Sequence, residues 1–410
     1  MRPWQTLASN VSRLVQRVRQ SPRLRLRGGH LVLPSSVVEA DLVIDQGRII
    51  SVGEGPAARA DEQIVDVSGL LVFPGLINAH DHLEFNCFPR LGEPQAYANS
   101  YEWAEDIMHR RRQPVMDRVL QIPLRDRLLA GGYKNLLSGV TTVCHHDPYQ
   151  RLFDRGFPVR VVKRYRWCHS LGFGDDVIGS YRNTPPDVPW IIHLAEGADE
   201  TAGGELTRLA ELGCVGSNTV IVHGVALGES DIDLMARRGS GLIWCPASNL
   251  FLFGRTAPIE SLKSRVTVAL GSDSRLSGSQ DLLAELKVAR SLGVADDEEL
   301  FDMVTRGAAR LLRIDDEVGT VEPGKRADLL VLAGDVDAPY CALVTAHAKA
   351  IRLVLIAGRP AYGTAEFAEL FQSDGRPFTQ VLVSDQPYLV VGGPADVERG
   401  LRAGFSGSVA

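Results

Sequence analysis

Residues 70–84 read LLVFPGLINAHDHLE, an apolar strand-like run that ends in two histidines, His80 and His82. Later stretches have the same form, an apolar run that ends in a histidine or a carboxylate. They are VPWIIHLAE (188–196), NTVIVHG (218–224) and VTVALGSDS (266–274). Parallel barrels build their active sites from residues at the ends of separate strands. The four stretches therefore predict both a barrel and the place of its chemistry.

The order of strand-like and helical segments along the chain supports a barrel of alternating strands and helices. From Leu71 to about Val318, apolar strands alternate with helical stretches, which is typical of βα units in a parallel sheet. We predict an α/β protein with a (β/α)₈ TIM-type barrel over residues 72–319. The β-rich flanks, residues 23–71 and 320–410, are each short, so we expect them to join into one small β-sandwich.

One side of the predicted barrel is short. Only about twenty residues separate the strand ending near Trp167 from the strand starting near Trp190, which is little for a full βα unit. We therefore expect either a degenerate barrel strand or trimmed helices on that side.

Residues 1–22 carry apolar side chains at helical spacing with arginines elsewhere around the helix, which predicts an amphipathic helix. Such a helix packs on the protein's own body or on a second subunit, and this is the interpretation that we favour. A basic amphipathic helix can also lie on a membrane surface.

The amino-acid composition excludes some classes of function. The chain has 410 residues, of which 45% are hydrophobic and 23% charged, with a net charge of −6. These values indicate a globular protein that acts on small molecules and argue against nucleic acid as a partner. No apolar run reaches the ~20 residues of a membrane span, and the six cysteines form no CxxC pair. We expect a cytoplasmic protein without stable membrane insertion, and a homo-oligomer remains open.

The histidines at the strand ends predict a metal site. His80 and His82 lie two apart on a strand and point to one face, whereas Asp81 points the other way. His193 adds a third nitrogen and Asp273 an oxygen. Three histidines and one aspartate suit one divalent ion, zinc or alternatively iron, and leave a position for water, as in catalytic sites.

Two further residues are placed to handle protons. A bound metal lowers the pKa of its water towards about 7, so hydroxide forms at neutral pH and a proton must move. Glu196, at the turn beyond His193, is the predicted proton shuttle. His223 is predicted to hydrogen-bond the attacking oxygen. We count Asp273 with both the metal ligands and the catalytic residues.

Other polar residues near strand ends stay open as substrate contacts: His145, His146, His169 and Arg275. Because adjacent strand residues face opposite ways, at most one of His145 and His146 is expected to line the pocket. Lys163 precedes His193 by a spacing that a metal-bridging carboxylated lysine could have. It lies within a charged run, however, and lysines in such runs usually face solvent, so one metal is the favoured interpretation.

Several motifs resemble those of the amidohydrolase superfamily. FPGLINAHDHLE resembles its first-strand motif, and HLAEG resembles the HxxE of its mononuclear deaminase branch. VHGVAL, WCPASNL and LGSDS resemble the motifs of strands six, seven and eight, and VGTVEPGKRADLLVL resembles the return from barrel to sandwich. The ordered set spans roughly residues 23–360.

The resemblance implies a metal-dependent hydrolase on a distorted (β/α)₈ barrel. It assigns the metal ligands to His80, His82, His193 and Asp273, and proton handling to Glu196 and His223. Two departures matter. Asp81 stands where the family more often has a small or neutral residue. The segment around strands three and four, which carries RYRWCHS, is shorter than usual, so the resemblance does not identify the substrate.

The expected reaction is hydrolysis of a non-peptide C–N bond, specifically deamination of an amidine-like carbon in a heterocycle by metal-bound hydroxide. The alternatives are hydrolysis of a cyclic amide or displacement of another leaving group, such as halide. A catalytically silent barrel used for assembly is an alternative from a different class, and the complete ligand set argues against it.

Overall fold

The computed structural model describes residues 23–403, apart from 54, 56–58, 61, 111–113, 384–385, 394, 397 and 400–401. The amphipathic helix expected over residues 1–22 lies outside the described residues. None of the helices in the described part of the chain combines the length and the apolar character needed to cross a bilayer.

The strands, in chain order, are β1 (Leu24–Val32), β2 (Val37–Asp45), β3 (Arg48–Val52), β4 (Gln63–Asp66), β5 (Leu71–Pro74), β6 (Leu76–Asp81), β7 (Val140–His145), β8 (Arg160–Val161), β9 (Arg166–Cys168), β10 (Trp190–Leu194), β11 (Thr219–His223), β12 (Gly241–Trp244), β13 (Val268–Leu270), β14 (Leu329–Leu332), β15 (Ile351–Ile356), β16 (Arg359–Thr364), β17 (Phe378–Val383) and β18 (Gln386–Val391).

The α-helices are α1 (Ser100–Arg110), α2 (Pro114–Leu120), α3 (Leu124–Leu136), α4 (Val177–Arg182), α5 (Glu200–Gly203), α6 (Glu205–Glu211), α7 (Glu229–Arg238), α8 (Pro246–Phe253), α9 (Ile259–Leu262), α10 (Leu282–Ser291), α11 (Asp297–Met303), α12 (Arg306–Leu311), α13 (Pro339–Val344) and α14 (Ala368–Asp374). A 3-10 helix, Leu83–Cys87, follows β6 directly.

The two ends of the chain share one sheet. Ten strands form it in the order β17-β18-β16-β15-β14-β5-β1-β2-β3, with β4 paired to β1. The antiparallel pair β5–β14 joins the halves, with Leu71 opposite Leu332 and Pro74 opposite Leu329. The sequence predicted a small sandwich from these segments, whereas the described strands form a single continuous hydrogen-bonded sheet.

Eight parallel strands carry the TIM-barrel-type α/β part of the fold. They fall into two hydrogen-bonded groups, β6-β7-β8 and β13-β12-β11-β10-β9. Every residue of β10, β11 and β12 is buried, as expected for parallel strands whose two faces are both covered. No closed hydrogen-bonded barrel is recorded among the described strands.

The first and last of these strands nevertheless meet at their carboxyl ends. The Asp273 amide donates to the His80 carbonyl oxygen over 3.1 Å. Gly271 allows this approach, because a Cβ there would lie 2.7 Å from the Cβ of His80. A side chain at position 271 would therefore push apart two strands that carry candidate metal ligands.

The short side of the barrel results from a missing helix. Among the described residues, β8 has only two residues and is followed by β9 without an intervening helix. The connection from β9 to β10 carries α4. The sequence placed the shortage between Trp167 and Trp190, but that stretch holds α4. The shortage lies one step earlier, where β8 is vestigial and no helix separates it from β9 among the described residues.

We predict that deleting residues 320–410 destabilises the N-terminal strands. The deletion removes β14, the partner of β5, together with Leu329 and Leu353, which pack in one apolar core with Leu26 and Val72. Hydrogen exchange over residues 23–70 should lose its protection. A shorter deletion of residues 393–410 is the control, since it keeps all of the strands described above. Full protection of residues 23–70 after the longer deletion would refute the pairing.

Candidate metal centre and active site

The ends of four parallel strands bring the predicted site residues together. Each side chain lies at or just beyond the carboxyl end of β6, β10, β11 or β13, and each residue is at most 8% exposed. These residues are His80, His82, His193, Glu196, His223 and Asp273. Residues separated by up to 193 positions in the chain, His80 and Asp273, thus face one small volume.

The donor atoms of this group converge. His80 Nε2 lies 3.3 Å from His193 Nε2, and Asp273 Oδ1 lies 3.9 Å from His80 Nε2 and 3.8 Å from His82 Nε2. Ligands about 2.0–2.1 Å from a tetrahedral zinc ion are separated by about 3.3–3.5 Å. Among the described residues, the donor atoms form two groups in which all atoms lie within 4.8 Å of one another, His80 with His82 and Asp273, and His80 with His193 and His223. His80 belongs to both groups, so binding of one ion by all four predicted ligands requires the His82 and His193 sides to move closer together.

Hydrogen bonds on the far side of the rings hold them in place. His82 Nδ1 lies 2.7 Å from Asp147 Oδ2, and His193 Nδ1 lies 2.9 Å from the His169 carbonyl oxygen. Since both partners are acceptors, each Nδ1 carries a proton. Burial lowers the pKa of His193, so its Nε2 presents a lone pair to the centre. Burial also lowers the pKa of His82, but Asp147 and Asp273 outweigh it and raise that pKa to about 9, so a metal ion would take the place of the proton on His82 Nε2. Such outer contacts fix the tautomer and the orientation of metal-binding histidines.

Asp273 is held as a carboxylate. Ser248 and Ser277 donate hydroxyl hydrogen bonds to its Oδ2 over 2.9 and 2.8 Å, and the Ser274 amide donates to Oδ1 over 2.7 Å. Burial raises the pKa of Asp273, but His82, His223 and the serine hydroxyls outweigh burial and lower the pKa below its usual value. The ionised form is the one that binds a cation.

Glu196 and His223 form a second functional pair beside the donor cluster. His223 Nε2 lies 3.5 Å from Glu196 Oε1, and His223 Nδ1 lies 2.9 Å from Asn249 Oδ1. Because Asn249 presents its oxygen, His223 Nδ1 is the donor. Burial raises the pKa of Glu196 to about 7, although His223 lowers it. A carboxyl with that pKa can both accept and donate protons near neutral pH.

The backbone is strained at three of the strand ends that carry the candidate site residues. Ala195, His223 and Asp273 have φ angles of 53°, 74° and 52°, in the left-handed region that non-glycine residues rarely adopt. Such strain persists where surrounding contacts enforce it, often at functional sites. At Ala195 the enforcing contact is Glu205, whose Oε2 accepts from the Ala195 amide over 2.7 Å.

Asp81, the unusual residue between the two histidines, belongs to a buried polar network. It is fully buried, and Lys134 Nζ lies 3.2 Å from its Oδ2. Asn86 and Asn135 each donate to it over 2.8 Å. Lys134 also reaches the Asp273 carbonyl oxygen at 3.4 Å. The network therefore links the HxH strand to the strand of Asp273 from behind.

We predict that Lys134→Met lowers the free energy of unfolding by about 3–5 kcal/mol, because it leaves the buried Asp81 carboxylate without its cation. Urea unfolding measures the change. Lys163→Met is the control, since Lys163 is 62% exposed and its contacts, with Asp154 and the Tyr149 ring, lie at the surface. Adding Asp81→Asn to Lys134→Met should recover part of the loss. A Lys134→Met variant within about 1 kcal/mol of the parent would contradict the prediction.

The residues left open by sequence are now placed. The His146 ring centroid lies 4.4 Å from that of His193, so His146 faces the centre. His145 faces away, against Phe153, as the opposite directions of adjacent strand residues require. The His169 ring lies 4.7 Å from His193. Arg275 is half-buried and lies near enough to Cys87 to lower the pKa of that thiol, which burial raises.

Lys163 lies away from the centre. Its side chain is 62% exposed and its Nζ is 2.6 Å from Asp154 Oδ1. It is thus in the position expected of a lysine in a charged run, and the described structure gives no support to a lysine-bridged pair of metals.

Sequence reasoning missed the residues that support the site. Asp147, Asn249, Ser277 and Lys134 each contact a candidate functional group or its neighbour. Asp147 lies two residues beyond β7 and so at the same edge of the sheet, but nothing local identifies His82 as its partner. Lys134 carried no signal, since it lies within helix α3.

Comparison with known proteins agrees with this geometry. The model of the amidohydrolase family matches residues 185–361. A 5-methylthioadenosine/S-adenosylhomocysteine deaminase of Halobacterium salinarum is 28% identical, over 80% of this chain and 87% of its own length. The protein of the same description from Desulforudis audaxviator is 27% identical, over 82% and 90%.

Solved structures share the fold. An adenosine deaminase from Xanthomonas campestris with bound zinc superposes with a TM-score of 0.67 at 22% identity, covering 86% of this chain and 97% of its own. An atrazine chlorohydrolase from Arthrobacter aurescens complexed with zinc gives 0.65 at 19%, covering 86% and 99%.

Fold and site together define a class, that of metal-dependent hydrolases built on a TIM-barrel-type α/β fold. Within that class, the chain is similar to the amidohydrolase family over residues 185–361 and to the deaminases named above.

Proposed function

We propose that this protein is an aminohydrolase that removes an amino group from an amidine-like carbon of a heterocycle. The observation that carries the proposal is the pairing of Glu196 with His223, 3.5 Å apart, beside the convergent donors. The Glu196 carboxyl, whose pKa burial raises to about 7, can exchange a proton near neutral pH beside those donors, as a general acid–base group must.

We propose His80, His82, His193 and Asp273 as the ligands of one divalent metal ion, with zinc as that ion. The neutral Nε2 atoms and the ionised carboxylate are the donor types that zinc takes. The ion, when bound, acidifies a water molecule and so supplies the nucleophile at neutral pH. The solved relatives with zinc support this choice over iron.

The protein's own residues then move the protons. Glu196 accepts a proton from the attacking water and delivers it to the ring nitrogen, while the water oxygen bonds to the amino-bearing carbon. His223, whose Nδ1 donates to Asn249, accepts a hydrogen bond from the new hydroxyl group through Nε2. Glu196 next transfers the hydroxyl proton to the amino group, the C–N bond breaks, and ammonia leaves as the carbonyl forms. One water is consumed and one ammonia is released.

The substrate class follows from the same site. The names of the curated relatives point to a 6-aminopurine ring, which contains the required amidine-like carbon. The atrazine chlorohydrolase makes displacement of halide from a triazine the second candidate, because the same oxygen attack would serve it. Hydrolysis of a cyclic amide is the remaining alternative.

A screen for ammonia release tests the proposal. Zinc-loaded protein is given purines, pyrimidines, pterins and aminotriazines, with chlorotriazines followed by chloride release. Ammonia from an aminoheterocycle, abolished by Glu196→Gln, is the expected result. Chloride release without ammonia would replace deamination with displacement, and no turnover across all classes would favour a silent barrel.

We also propose the finer architecture that the resemblance implies. The eight parallel strands form a distorted (β/α)₈ barrel over residues 72–319, supported by the Asp273–His80 backbone hydrogen bond. The ten-stranded sheet folds into a β-sandwich of residues 23–71 and 320–410, supported by its separate apolar core. The enzyme acts on a free small molecule in the cytoplasm.

A further inference from the structure

Three side chains of metal-binding type lie on the far side of His82, outside the donor set described above. Glu84 belongs to the 3-10 helix after β6, His145 ends β7, and Asp147 follows two residues later. One ligand atom from each lies within 4.8 Å of the others. Two neighbouring strand ends therefore build this cluster, as they build the main site.

Two atoms of the cluster are buried without a hydrogen-bond partner among the described residues. They are Glu84 Oε2 and His145 Nε2, which face each other at 3.5 Å. The His145 side chain is 1% exposed and the Glu84 side chain 14%. Buried polar atoms in folded proteins are nearly always paired, so an orphaned pair indicates a missing partner.

The charges of the cluster also call for a cation. Glu84 and Asp147 each bring a carboxylate oxygen within 4.8 Å of the other and of His145. Asp147 uses Oδ2 to accept from His82 Nδ1, which leaves its Oδ1 for another contact. Two partly buried carboxylates that repel each other are stabilised by a cation between them.

We propose that Glu84, His145 and Asp147 form a second divalent-cation site, separate from the catalytic one and linked to it through Asp147. One imidazole nitrogen and two carboxylate oxygens suit zinc or cobalt better than calcium. An ion there fixes the Asp147 carboxylate and, through it, the orientation of His82.

The tautomer of His145 decides between this site and a simple hydrogen bond. If the proton sits on Nδ1, Nε2 presents its lone pair to the cation. The Leu83 amide approaches the same Nδ1 at 3.3 Å, which is long for an N–H donor. If Nδ1 accepts that hydrogen bond instead, Nε2 carries the proton and points it at Glu84.

Zinc titration of the full chain separates the two arrangements. Protein stripped with a chelator is dialysed against rising free Zn²⁺, and bound metal is measured by mass spectrometry. We expect a second, weaker ion in the parent. Glu84→Gln and His145→Asn should raise the dissociation constant of the second ion by at least about 10–100-fold and leave that of the tighter ion unchanged. Loss of a residue that merely supports a metal ligand already has an effect of this size, and loss of a ligand should have at least as large an effect. Retention of the tighter ion shows that each variant is folded.

Matched controls are Glu105→Gln and His109→Asn, which change the same residue types on the exposed face of α1. Both should bind zinc as the parent does. Anomalous diffraction at the zinc edge provides the direct test, with a peak expected between Glu84, His145 and Asp147. A parent that binds no second ion, or a second ion that survives both cluster variants, overturns the proposal and leaves the Glu84–His145 hydrogen bond.

Discussion

Glu196→Gln should bind metal as the parent does and lose turnover by about 10²–10⁴-fold, the typical contribution of a general acid–base group. The buried Glu196 carboxyl lies 3.5 Å from His223, and its pKa is raised to about 7. Glutamine keeps the shape and much of the hydrogen bonding but cannot carry a proton. The rate is measured as kcat on the substrate that the ammonia screen identifies, and metal content by mass spectrometry.

The control for this variant is Glu200→Gln, an exposed glutamate four positions further along the same connection. It should turn over at the parent rate. If Glu196→Gln also turned over at the parent rate, the proton shuttle would lie elsewhere and the proposed mechanism would fail, even with the metal ligands assigned correctly. A loss of metal in Glu196→Gln would instead make Glu196 a ligand.

Asp273→Ala and His193→Ala should each lose the tightly bound metal, of which we expect about one ion per chain in the parent. Asp273 supplies the only carboxylate among the four convergent donors, and His193 Nε2 lies 3.3 Å from His80 Nε2 in the cluster. Metal retained after a chelator challenge measures the effect. Turnover should be lost with the ion.

Two comparisons make the metal prediction specific. His223→Ala should retain more metal than His193→Ala and still slow turnover, because His223 contacts Glu196. Asp316→Ala, an exposed aspartate, is the matched control and should retain the ion. A tightly bound pair of ions, one of which is lost in Lys163→Ala, would instead establish a lysine-bridged binuclear centre, despite the exposed position of Lys163.

The sequence carries the candidate site because strand geometry is local. The two-residue period of a strand puts His80 and His82 on one face and Asp81 on the other. An apolar run of strand length indicates where each strand ends, and neighbouring parallel strands have their carboxyl ends at the same edge of the sheet. The positions of His193, Glu196, His223 and Asp273 could therefore be predicted from short stretches read one at a time.

The same local rule limits the fold prediction. It indicated the parallel strands, but neither the place of the missing helix, between β8 and β9, nor the single ten-stranded sheet. That sheet depends on β14 lying beside β5, a pairing between segments about 250 residues apart. The hydrophobic pattern of a strand indicates that both of its faces are buried. It does not identify the neighbouring strand, because many strands could pair with it equally well.

By itself, then, the sequence determined which residues stand at strand ends and which chemistry they suit, because side-chain direction follows from backbone period. Only the tertiary structure decided what holds them. The Asp147 contact to His82, the Asn249 contact to His223 and the Lys134–Asp81 pair join residues 26 to 65 positions apart. No local pattern specifies such contacts, since they depend on how whole strands and helices pack, and they fix the tautomers and charges that the proposed reaction requires.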